Sequence, residues 1–389
     1  MNERIIIEGK MKKLITIAYS KAKSIVYNVR FNRRYQRGLT VARECCQNHK
    51  IPPLTPHDIK EIDDYWGKYG IKFRDYSFHQ MYYHVTGNKD PRFIPDTLAG
   101  NVIYPYYNDL VKAESYADKN LFSKILPNAI FPRMIAQRIN NYYYDSEHRY
   151  YGVILSDSFV DTVFQELNQL QVSEIIIKNS INTYSGKGVK KYTINSYESL
   201  KRVLNEYNSS DFIVQECIKQ HDFFKQFNPD SVNIIRLTTW RTGSDIKVFS
   251  PCLRFGIPGS ATDITYIDGK EIISGVGIKN GLIADYYYTL DGEKKQMLVD
   301  NRTVPKWKEI VNFVKTSHME LDYFGVVGWD VTISEADEII CIEYNLKWPG
   351  TIVYQFCHGP FAGDETENYL KFLENSFLQK ALLPKYIRL

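Results

Sequence analysis

Two apolar stretches toward the C-terminal end carry polar side chains where a sheet interior tolerates few. Gly328-Trp-Asp330-Val331 is followed, after a turn, by Ile342-Glu343-Tyr-Asn345. Successive side chains of a strand point to opposite faces, so Glu343 and Asn345 share one. Asp330, on an antiparallel neighbour, can share it too. Two carboxylates and an amide oxygen make an all-oxygen donor set. That suits Mg²⁺, with Mn²⁺ as a substitute, because such ions take a few protein oxygens and complete their shell with water and phosphate. For Glu343 and Asn345 alone, a sheet with a polar solvent face explains the pattern as well. The following Lys347-Trp-Pro-Gly350 favours a site, since it is a turn that closes one instead of continuing a strand.

The 389 residues suffice for two or three packed lobes, and 30 tyrosines point to a substantial sheet component. A net charge of +4 is too small to argue for nucleic acid. Six scattered cysteines without a CxxC pair argue against zinc and for buried free thiols in a reducing compartment, the cytoplasm. No apolar run is long enough for a transmembrane helix, and the N-terminus does not read as a signal peptide.

Residues 9–43 hold no acid and carry bases from Lys10 to Arg37, with Ile15, Ala18, Ala22, Val26 and Val29 at helical spacing. Such a helix can lie on an anionic membrane, peripheral to its inner face. Its narrow, Ala-rich apolar face favours docking on the protein itself. Thr55-Pro-His-Asp58 reads as a helix start, and Pro91, Pro95 and Pro105 place a boundary within 90–118. Residues 173–178, 211–217, 246–255 and 338–345 read as strands, and 196–208 and 304–318 as helices.

Further chemistry lies upstream of the oxygen set. Lys178 ends a β-branched run and opens a loop with Ser185, Gly186, Lys187 and Gly188. Glycines there permit backbone N–H groups to approach phosphate oxygens, although the loop is neither a Walker A motif nor GxGxxG. Phe212–Ile218 is an apolar strand with a polar exit, which can serve as a hinge whose backbone reads adenine. Asp222, four residues past Ile218, is placed to take ribose hydroxyls.

In this order the pieces resemble the ATP-grasp superfamily from about residue 115 to 355, and within it the sugar-transfer-associated group of cell-surface polysaccharide biosynthesis. Ala117-Asp-Lys119 with the following FSKILPNAIFPR looks like the entry segment. Lys178 and the glycine loop look like the mobile lid, and Gln215–Ile218 like the hinge. Ser231-Val-Asn233-Ile-Ile-Arg236 resembles the group's NxxR strand. Asp330 with Glu343-x-Asn345 and the trailing Pro-Gly resembles the metal signature. The group's Asp-Asn pair and glycine-rich segment are replaced by Ala261–Tyr266 and Ser274–Gly277, which weakens the likeness on the substrate side.

The resemblance implies an α+β fold of two subdomains gripping ATP (111–218 and 219–389), preceded by a mainly helical region (1–110). It implies that Lys119, Lys178, Ser185, Gly186, Lys187 and Gly188 bind phosphates. Gln215, Glu216 and Ile218 would hold adenine and Asp222 ribose. Asp330, Glu343 and Asn345 would hold Mg²⁺, while Arg236, Asn233 and Arg254 act on the transferred phosphoryl group or a substrate carboxylate. His221 and His318 are further candidates, more simply read as structural. The reaction implied is a carboxylate–amine ligation through an acyl phosphate, with small sugar-type or amino-acid-type substrates. A kinase on the same fold would need a base such as Asp263 or Asp268. A nucleotide-binding assembly subunit without turnover would not need the intact oxygen set.

Overall fold

The computed structural model describes residues 33, 35–181, 188–256, 272–383 and 387–388. Most of the basic N-terminal segment, together with Ser185, Gly186, Lys187, Asp263 and Asp268, lies outside these described residues.

The described chain falls into two compact units. One comprises residues 35–106 with 364–388, the other 107–363. The first is helical: α1 over 35–48, α2 at Pro56–Gly67 and α3 at Ser77–Thr86. Its core is aromatic, with Trp66, Phe78, Tyr82 and Phe93 closed to solvent and Tyr82 stacked on Phe93 at 4.8 Å. The late segment completes it: the Lys72 N–H donates to the Ile387 carbonyl at 2.8 Å, and Tyr106 stacks on Phe372 at 3.8 Å.

The start read at Thr55 is a capping box. The Thr55 hydroxyl accepts from the Asp58 N–H at 3.2 Å, and the Asp58 carboxylate accepts from the Thr55 N–H at 3.0 Å. Hydrogen bonding from Thr55, then from Lys89 at 2.9 Å, holds the Asp58 pKa down at about 2. A folded pKa below the unfolded one gives stability that is present at neutral pH and lost as pH falls toward 2. Asp58→Ala should therefore cost about 1 kcal/mol at neutral pH, as cap deletions do. In urea melts that gap should close as pH approaches 2. A gap of equal size at both pH values would remove the capping account.

The second unit holds two antiparallel sheets. The smaller contains β1 (Met134–Ile139), β2 (Tyr142–Asp145), β3 (Glu174–Asn179), β4 (Lys190–Thr193) and β5 (Phe212–Glu216), in the order β2-β1-β5-β3-β4. Helices α4 (Asp157–Gln169) and α5 (Tyr197–Glu206) cover one face. Phe159, Val163, Leu200 and Leu204 pack there against Ile175, Ile177, Phe212 and Val214.

The larger sheet contains β6 (Ile234–Thr242), β7 (Asp245–Phe255), β8 (Ile272–Gly275), β9 (Tyr286–Thr289), β10 (Lys294–Gln296), β11 (Val326–Ile333) and β12 (Ile339–Asn345). Their order is β10-β9-β8-β7-β6-β11-β12. Helix α6 (Trp307–Met319) belongs to its core through Ile310 and Val314, with Leu237, Leu253, Val327 and Trp329. Every residue of β11 is buried, which accounts for its nearly unbroken apolar reading. The strands read at 173–178, 211–217, 246–255 and 338–345 and the helices read at 196–208 and 304–318 are present, with ends moved by at most three residues.

Register positions the polar residues. Asp330 pairs with Arg236 of β6 on one side and Glu343 of β12 on the other, and Gly328 pairs with Asn345. Past Asp330 the partner moves from Glu343 to Cys341, so β12 holds an extra residue, Ile342, as a bulge. A bulge re-aims the side chains beside it. Cys341 and Tyr344 enter the core with Trp329 and Val331, while the Glu343 side chain stays part-exposed.

Candidate functional site

β12 supplies Glu343 and Asn345, β11 supplies Asp330, and β6 and β7 supply Arg236 and Arg254. Arg236 makes a two-point contact with the Asp330 carboxylate, Nε to Oδ1 and Nη2 to Oδ2, and its Nη1 donates to the Pro349 carbonyl at 2.9 Å. The Asn345 amide donates to Asp330 Oδ2 at 3.2 Å, and Arg254 Nη1 lies 3.8 Å from Oδ1. Asp330, Arg236 and Arg254 are each less than 7% exposed. Burial opposes the Arg236 charge, but the Asp330 carboxylate outweighs it and raises the guanidinium pKa. Two-point guanidinium–carboxylate pairing fixes orientation as well as charge. The turn read at Lys347–Gly350 thus does close this cluster, through the Pro349 carbonyl.

Two lysines stand at the other side. Lys119 opens a short turn, Lys119–Leu121, whose start is capped by Asp118. Its ammonium lies 4.0 Å from Glu343 Oε2. Lys178, on β3, is 7% exposed and forms no ion pair among the described residues. Burial, then the positive charge of Lys119, depresses its pKa to about 8. A buried cation beside a second one is destabilising unless an anion joins them.

Two cavities adjoin these residues. One of 370 Å³ is lined by Asp118, Lys119, Glu343, Asn345, Lys347 and Trp348 among others. Another of 670 Å³ lies at the hinge read from the sequence, with Ile176, Glu216, Cys217, Ile218, Lys219 and Ile340 in its wall. Both lie within the range of small-molecule sites. Ile176 and Lys178 are two residues apart on β3 and share a face, so the hinge cavity lies along the lysine side of that strand.

The structure gathers Lys119, Lys178, Arg236, Arg254, Asp330, Glu343 and Asn345. The hinge cavity collects Glu216 and Ile218. Gln215 is 6% exposed, and its amide donates to the Pro132 carbonyl at 3.1 Å. Asp222 is exposed on a short helix, Asp222–Lys225, paired to Lys225 at 2.7 Å, and it does not line the hinge cavity, although Lys225 does. Asn233 is fully buried. Its amide nitrogen donates to the Gln220 side chain and to the Phe224 and Asn228 carbonyls at 2.7–3.0 Å, a network that ties the loop after the hinge to β6. Gly188 is exposed, with φ +78°.

Both histidines are structural. His221 caps the Asp222 helix by accepting from the Phe223 N–H at 3.0 Å. His318, driven to a pKa of about 4 by burial, is held between the Thr239 hydroxyl and the Phe324 carbonyl. The sequence reading missed Asp118 as the cap that shapes the Lys119 turn, although Asp before Lys-Asn is a capping signal.

The donor set fits the groups that the sequence resemblance implies. Glu343 and Asn345 both border the smaller cavity and offer oxygens to a hard cation, and Asp330 already holds the Asn345 amide from the next strand. The buried Lys178, without an ion pair among the described residues and beside Lys119, fits a polyanion such as a triphosphate.

A family model described as sugar-transfer associated ATP-grasp matches residues 102–368. The chain is similar in structure to D-alanyl-alanine synthetase A from Vibrio cholerae, with 11% identity over 68% of this chain and 67% of that one and a TM-score of 0.41. The D-alanine-D-alanine ligase from Coxiella burnetii gives 9% identity, 70% and 60% coverage and a TM-score of 0.39. The VanG D-Ala:D-Ser ligase from Enterococcus faecalis gives 13% identity, 67% and 62% coverage and 0.38. Among curated proteins, none matches this sequence. No described helix is long and apolar enough to cross a membrane.

Proposed function

Because this chain belongs to the sugar-transfer associated ATP-grasp family, we propose that it is an ATP- and Mg²⁺-dependent carboxylate–amine ligase of cell-surface or capsular polysaccharide biosynthesis. The observation that carries the reading is the facing arrangement of buried Lys178 and Lys119 with Glu343 and Asn345 beside the Arg236–Asp330 pair. In this reading Lys119 and Lys178 hold the phosphates, and the hinge cavity beside Glu216 and Ile218 takes the base. Glu343, Asn345 and Asp330 hold the metal, which when bound would neutralise charge on the terminal phosphates. Arg236, oriented by Asp330 and Pro349, stabilises negative charge on the phosphoryl group in transfer. Arg254 holds the substrate carboxylate.

A carboxylate oxygen attacks the terminal phosphorus and ADP leaves. An amine nitrogen then attacks the acyl carbon, phosphate departs with the bonding electrons, and the amine loses a proton. The residues supply position and charge rather than a nucleophile. Mass spectrometry of the protein with ATP and paired candidate acids and amines tests this. ADP with an amide product is expected. ADP with a phosphorylated hydroxyl would replace the ligase by a kinase.

Lys178 also sets a pH dependence. A phosphate beside it favours the ammonium, so nucleotide binding takes up a proton above pH 8, and affinity falls as pH rises through that value. Stability runs the other way. The folded pKa lies below the unfolded one, so the buried charge is a burden at neutral pH, relieved as pH climbs past 8. Titration calorimetry above pH 8, in buffers of different ionisation enthalpy, reads the proton uptake. Binding heats that do not depend on the buffer would detach Lys178 from the phosphates.

A further inference from the structure

Between the two lysines lies a junction that neither the family likeness nor the proposed chemistry accounts for. The Lys119 N–H donates to the Ser180 carbonyl at 3.0 Å, which ties the Lys119 turn to the chain leaving β3. On either side of that bond sits a buried polar side chain without a hydrogen-bond partner among the described residues. Asn120 is 3% exposed, and among the described residues neither its amide oxygen nor its amide nitrogen has a hydrogen-bond partner. Ser180 is 1% exposed, and its hydroxyl has none either. Their backbones are satisfied: the Asn120 N–H by Asp118 at 3.0 Å, the Ser180 N–H by the Asp211 carbonyl at 3.1 Å.

Nearly all buried polar groups in folded proteins are paired, so three orphaned atoms at one junction need a reason. Their placement supplies one. Ser180 lies two residues past Lys178, just beyond the end of β3, and Asn120 directly follows Lys119. A desolvated amide next to Lys119 in the chain and a desolvated hydroxyl two residues past Lys178 form a set with hydrogens to donate to phosphate oxygens and oxygens to accept from a lysine.

We propose that Asn120 and Ser180 are further phosphate-binding residues, unsatisfied in the ligand-free form and satisfied by the phosphate chain of a nucleoside triphosphate. The inference rests on the nucleotide reading above. Because the atoms are closed off, the Lys119–Ser180 junction loosens as the phosphates enter, and polar burial that weakens the free protein becomes binding. Truncation then has an unusual signature. It removes an orphan from the ligand-free form, so stability holds or rises, while phosphate affinity falls.

The test uses Asn120→Leu and Ser180→Ala in the full chain, read by thermal melts and by calorimetric Kd for Mg–ATP and for adenosine. The ligand-free Tm should stay or rise, the Kd for Mg–ATP should weaken about tenfold in each variant, and the Kd for adenosine should not move. Wild-type Mg–ATP affinity in both variants overturns the proposal. So does parallel weakening of ATP and adenosine with a lowered Tm, which marks a structural role. If Asn120→Leu does not fold, Ser180→Ala, which lacks one oxygen, decides alone. A wild-type protein that binds no ATP overturns the nucleotide reading itself, whereas variants equal to a wild type that does bind it overturn only this assignment.

Discussion

Replacing Glu343 by Gln should lower turnover on the order of 10²–10³-fold, the loss typical of deleting one electrostatic contact at a reacting centre. The side chain is 30% exposed at the cavity edge, with the Lys119 ammonium 4.0 Å away. Gln keeps the shape and removes the charge, so the fold has little to lose. Melting should therefore be near wild type while the metal concentration needed for activity rises. A Glu343→Gln protein with wild-type turnover would remove Glu343 from the metal set.

Asp330→Asn should act in the opposite proportion, destabilising the fold by about 3–5 kcal/mol, as breaking a buried ion pair does. Asp330 is 3% exposed, receives the two-point contact of Arg236, and lies 3.8 Å from Arg254. The substitution leaves buried guanidinium charge without its carboxylate, and desolvation then weighs on Arg236 uncompensated. Urea unfolding of the ligand-free protein measures it, and a loss under 1 kcal/mol would mean that the pair is largely solvated, since about that much is the ceiling for exposed pairs. The contrast between the two substitutions separates a residue that serves chemistry from one that also holds the sheet.

The sequence made the large sheet's centre legible because burial on both faces leaves a strand almost wholly apolar, so Asp330 stands out in β11. Glu343 and Asn345 were legible through alternation, and Lys178 because a charge ends a run of isoleucines. What the sequence could not carry was pairing. Nothing local says that Arg236 meets Asp330, because their adjacency is a register between strands 94 residues apart. The Ile342 bulge is equally silent, since one extra residue leaves the apolar pattern intact. The ribose reading of Asp222 rested on spacing alone, and an acid three residues before Lys225 on a helix turn is more simply an i,i+3 pair. Asn120 and Ser180 carry no signal at all, because an orphaned polar atom is defined by what surrounds it.

The return of residues 364–388 to the helical unit has a consequence for synthesis. The unit of 107–363 is inserted into the other, so its last strand and the Asp330 cluster are complete while the ribosome still holds the segment that the Lys72–Ile387 hydrogen bond requires. Domains fold as units when their chain emerges. The order of birth is thus inverted: residues 35–106 leave the ribosome before that unit and finish after it, with Lys72 and Tyr106 waiting for the segment that carries Ile387 and Phe372. A released chain ending at residue 363 should show a protease-resistant sheet unit trailing a protease-sensitive helical one.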